Sequence, residues 1–79
     1  MAKNKFNTFN TEEATYLLTA GKMLSDYLEV SSVFSGIEIE HFAEEWISCN
    51  LYKPSKTMEK AVWRIFLNNL IRYRKRENE

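Results

Sequence analysis

One cysteine, one proline and two glycines in 79 residues are few, and each scarcity excludes something. A lone Cys49 rules out a disulfide within the chain. The missing glycine pairs rule out a phosphate-cradling loop, since neither Gly21 nor Gly36 has a second glycine near it. With so few turn-forming residues, an all-β chain of many short strands is not expected, and 14% aromatic content argues against disorder. No apolar run approaches the roughly 18 residues that a membrane span needs, so no membrane role is expected. Residues 1–5 are polar and lead into no apolar stretch of signal-peptide length. With the single thiol, this gives a reducing, cytoplasmic setting as the expectation.

A chain of this length makes one domain and buries roughly 60% of its unfolded surface, which leaves a marginal core. Small domains draw extra stability from disulfides, metals or self-association. With the first excluded and the second poorly supported, a homodimer is the expected form.

What the chain does have is helical punctuation. Asn10 reads as a helix cap with Glu13 at the reciprocal position, after an N-terminal arm of nine residues pinned by Phe6 and Phe9. From there Ala14, Leu17, Leu18, Gly21, Leu24 and Leu28 recur at helical spacing and predict a first helix over 11–29. Tyr16, Ala20, Met23 and Tyr27 widen its apolar arc to one side. Residues 30–34 read as a connector. Ser35 with Glu38 then forms a capping box, flanked by Phe34 and Ile39 as a hydrophobic staple. A second helix follows over 36–49 with the stripe Ile39, Phe42, Ala43, Trp46 and Ile47. Residues 36–42 also alternate with period two, as a strand would, but the caps and the continuing stripe favour helix. Ser55 caps a third helix that runs to Arg76.

Projected at 100° per residue, the third helix divides into three faces. Met58, Ala61, Val62, Ile65, Phe66 and Tyr73 form the expected core side, with Asn69 among them as an amide that needs a partner. Trp63, Leu67, Leu70 and Ile71 form a second apolar side. Lys60, Arg64, Asn68, Arg72 and Lys75 fill a narrow polar stripe, with Arg74 and Arg76 adding cations at the end. The expectation is an all-α three-helix bundle whose third helix is too apolar to be covered by one neighbour.

Charge is balanced overall but segregated along the chain. Residues 11–48 hold eight acids against Lys22 alone, and residues 53–79 hold eight bases against three acids. An acidic helix lying against a basic one is the simplest account of that pattern. The basic stripe admits a second use, because lysines and arginines around a central Asn68 suit phosphates or a major groove.

Catalytic constellations are absent. Cys49 and His41 lie eight apart on one helix and project to different sides, and Cys49 reads as a small core residue at the edge of the stripe. Glu38, His41 and Glu45 share one side of the second helix in the Glu-x-x-His spacing of carboxylate-bridged metal bundles. Those bundles need the motif twice with further glutamates, so no metal or cofactor is expected. The sequence therefore points to a non-catalytic interaction or regulatory protein, of the small accessory kind that phages and mobile elements carry. It would dock on a partner protein and on a second copy of itself through Trp63, Leu67 and Ile71, with Tyr16, Met23 and Tyr27 as the counterpart surface. A DNA-binding regulator using Lys60, Arg64, Asn68, Arg72 and Lys75 is the alternative.

Overall fold

The computed structural model describes residues 11–78, and among them every regular element is helical: α1 (Thr11–Val33), α2 (Ile39–Asn50) and α3 (Lys56–Glu77). The expected arm and the Asn10 cap lie outside the described residues. Glu12 and Glu13 stand in the first turn of α1, where carboxylates suit the positive end of the helix dipole.

α1 continues a full turn beyond the end that its leucine pattern implies. The serines of the supposed connector are drawn into the helix. Ser31 Oγ donates to the Leu28 carbonyl at 3.2 Å, Ser32 Oγ to that of Glu29 at 2.7 Å, and the Phe34 amide to that of Val30 at 2.9 Å. Their hydroxyls bond locally along the helix rather than breaking it. The chain then reverses at Gly36, whose φ of 81° is a conformation that favours glycine.

The capping box at Ser35 does not form. α2 starts at Ile39, three residues later than the box requires, so Glu38 is the cap residue and its side chain makes no capping bond. Phe34 remains 61% exposed, so little of the expected staple is buried. Residues 39–42 are helical, which removes the strand reading of that stretch. α3 begins as its sequence implies: Ser55 Oγ accepts the Met58 amide at 3.1 Å. Its last turn carries Arg74, Lys75 and Arg76 beside the exposed carbonyls.

The core consists of Ala20, Met23 and Tyr27 from α1, Ala43, Trp46 and Ile47 from α2, and Val62, Phe66 and Leu70 from α3. α1 and α3 make the principal helix pair. The face of α1 that packs is therefore not the leucine face. Leu17 and Leu18 stay exposed, the latter 75%, and Gly21 lies open, with nothing within 4 Å of an added Cβ. The reason is steric: the small Ala20, fully buried, suits a close approach of α3, and Met23 and Tyr27, one and two turns further along α1, fill the core on the same side. Gly21 costs its helix about 1 kcal/mol relative to alanine without a packing reason in return.

Aromatic rings join the three helices. Phe66 sits edge-on to Tyr27 (centroids 5.8 Å, 76°), and Tyr27 is edge-on to Phe42 of α2 (5.1 Å, 72°). Trp46 is almost fully buried and its indole Nε1 donates to Asp26 Oδ2 at 2.7 Å, linking α2 to α1 by a charge-assisted bond.

A candidate docking surface between α2 and α3

Three residues four apart form a shoulder on α3 that runs from the core to solvent. Trp63 is half-buried and stacks on Phe66 (5.6 Å, 19°), Leu67 is half-buried, and Ile71 is 62% exposed. Leu70, grouped with them by projection, belongs to the core instead. The true core face of α3 is rotated toward this shoulder, so Ile65 and Met58 are only half-buried and Tyr73 is exposed.

The expected counterpart on α1 is mostly spent within the chain. Met23 is fully buried and Tyr27 is 4% exposed, because the close approach at Ala20 turns that flank onto α3 of the same chain. Neither is on the surface to meet a partner. Tyr16 is half-buried and packs beside the core, and its hydroxyl donates to the Glu12 carboxylate. That bond is the main cause of a raised phenol pKa, with burial and the neighbouring negative charge acting in the same direction.

Beside the shoulder, α2 and α3 enclose an open groove of about 590 Å³. Buried Ala43 and Ile47 with half-buried Trp63 give it an apolar floor, and Pro54 adds to its wall. Glu40 and Glu44 of α2 and Glu59 of α3 border it, with Lys60 as its one cation among the described residues. The sequence shows the ingredients, since Glu40 and Glu44 stand one turn apart next to the Ala43–Ile47 stripe. That they meet Glu59 and Trp63 depends on how α2 lies along α3, which no local pattern specifies.

The acidic and basic helices are not locked together by ion pairs among the described residues. Arg74 shares a cleft with Glu38 and Glu40, yet among the described residues the acids of α2 form no ion pair with the bases of α3. Lys60, Arg64, Asn68, Arg72 and Lys75 are all exposed, as the projection of a polar stripe requires. Arg72, Lys75 and Arg76 also line a second cleft against Leu24, into which the half-buried Asn69 is drawn. Asn69 thus borders a basic cleft rather than standing in the middle of the core.

The remaining sequence candidates are separated. His41 Nε2 lies 3.6 Å from Glu45 Oε2 with both side chains about 70% exposed, an ordinary contact one turn apart. Among the described residues no three histidine, cysteine or carboxylate side chains gather as a metal site would require. Cys49 is exposed, not part of the core, since α2 turns its Ala43–Trp46–Ile47 edge inward and leaves Cys49 outside it. Among the described residues, no helix is long and apolar enough to cross a membrane. No family model, curated protein or solved structure matches this chain.

Proposed function

We propose that this chain is a non-catalytic docking protein that holds a partner protein on the α3 shoulder and the adjoining groove, and that it self-associates as a homodimer through the same shoulder. The observation that carries the reading is the state of Trp63, Leu67 and Ile71 after folding. The first two are partly covered by their own core and the third is largely in solvent. An indole anchoring a partly covered apolar row is the composition of an interface centre, and such rows are seldom left bare on a monomer.

The test is association measured by light scattering. Leu67→Glu should give a folded chain with a cooperative melt whose self-association is weaker by about tenfold or more, the loss expected of a central contact residue. Because Leu67 also touches the core, Ile71→Glu is the companion variant. At its exposed position the fold should be untouched while association drops. A wild-type chain that stays monomeric at every concentration removes the homodimer, and unchanged association in both variants removes the shoulder.

A second reading is supported by the exposed stripe Lys60, Arg64, Asn68, Arg72 and Lys75, which forms no ion pair among the described residues. A helix of this kind suits a DNA backbone, although Glu59 and the groove carboxylates beside Lys60 oppose it. DNA binding should appear as a mobility shift that weakens steeply with salt. Arg64→Glu with Arg72→Glu should abolish it without altering the melt, and no shift by the wild type at low salt ends this reading.

A further inference from the structure

We infer that the α2/α3 groove seats an amphipathic helix of another protein, one that carries lysine or arginine beside its apolar anchors. This inference rests on the docking reading above and names the chemistry of the partner. Helix-in-groove recognition needs an apolar trough for side chains spaced one turn apart and a rim that reads the flanking charges. Ile47 and Trp63 give the trough, and Trp63 is also the inner end of the shoulder. The rim is acidic along α2, where Glu40 and Glu44 follow one another, while the α3 wall sets Glu59 next to Lys60. Three carboxylates against one ammonium, Lys60, leave a surplus of negative charge beside an apolar surface. Among the described residues none of the three is neutralised by an ion pair. A cationic helix relieves that repulsion as it binds, while an acidic one adds to it.

A second copy of this chain does not meet the requirement. Among the described residues its strongly basic helix is α3, where Val62, Phe66 and Leu70 are spent on its own core and Trp63 and Leu67 are half-buried, which leaves Ile71 as the exposed anchor of its shoulder. Lys60 and Arg64 stand beside that shoulder, but helix-in-groove docking needs several exposed anchors one turn apart, which α3 of a second copy does not offer. Duplex DNA is repelled by the same rim.

The experiment titrates the full ¹⁵N-labelled chain with a synthetic leucine–lysine amphipathic helix, and with a leucine–glutamate peptide of the same apolar pattern. Amide signals of Ala43 and Ile47 and the indole signal of Trp63 should move with the first peptide and not with the second. Glu40→Lys with Glu44→Lys should weaken binding at least tenfold at an unchanged melting temperature. Lys60→Glu, which removes the one cation from the rim, should tighten it several-fold. Shifts concentrated at the acidic start of α1, or equal binding after the double reversal, overturn the inference. So do Ala43 and Ile47 signals that move on dilution of the protein alone, because a second copy then fills the groove itself and not only the shoulder at Trp63. Equal binding of both peptides in the groove also overturns it, yet leaves the docking reading standing. That reading fails separately, through Leu67→Glu and Ile71→Glu.

Discussion

Phe66→Ala should leave the chain largely unfolded near body temperature. Phe66 is fully buried at the point where all three helices meet, stacked on Trp63, edge-on to Tyr27 and 6.3 Å from the Phe42 ring. Removing a buried phenyl costs about 3–5 kcal/mol when the surroundings cannot collapse into the space. Collapse is hindered here, because the neighbouring rings are held by one another. At roughly 0.05–0.15 kcal/mol per residue the whole fold is worth about 4–12 kcal/mol. The melting temperature followed by circular dichroism should therefore fall by about 15 °C or more, on a scale of roughly 4–8 °C per kcal/mol for a domain of this size. A fall of a few degrees would mean that Phe66 is not the centre of packing.

Asp26→Ala should produce the next largest loss, through an unmet hydrogen bond instead of a cavity. The Trp46 indole has its donor directed at Asp26 Oδ2, and the ring itself is almost wholly inside the protein. Alanine leaves that N–H buried without an acceptor, at about 1–3 kcal/mol. Asn at position 26 keeps an acceptor and should lose less. Trp46→Phe removes the donor, so Asp26→Ala made in that background should cost much less than in the wild type. The comparison of the four melts isolates the bond. If Asp26→Ala and Asp26→Asn are equally harmful, the carboxylate acts through something other than the indole.

Helix identity was open to reading because caps and spacing are local properties. Ser55 stands one position before α3 and its hydroxyl makes the bond that its place suggests, so that start could be read directly. The start of α2 could not. Ser35 and Glu38 have the right separation for a capping box, but the turn at Gly36 uses up the residues between them, and a three-residue pattern carries no record of that competition. Rotation about the helix axis was harder still. α1 carries apolar residues over a wide arc, and weight of leucine favours the side with Leu17 and Leu18. The packed side is decided instead by Ala20, whose small size matters only once α3 is beside it. α3 errs by the same kind of step, with Leu70 inside and Tyr73 outside. For the docking surface, Trp63, Leu67 and Ile71 could be named from one helix alone. The acidic groove could not, because its two walls come from different helices.

The two tryptophans occupy unlike surroundings: one indole is enclosed and donates to a carboxylate, and the other lies stacked on the floor of an open groove. Their emission is consequently separable without any attached dye. A chain keeping only Trp46 reports whether the core is assembled, and a chain keeping only Trp63 reports whether the groove is filled. Folding and occupancy, which most small helical proteins force into a single optical signal, can thus be followed here as two.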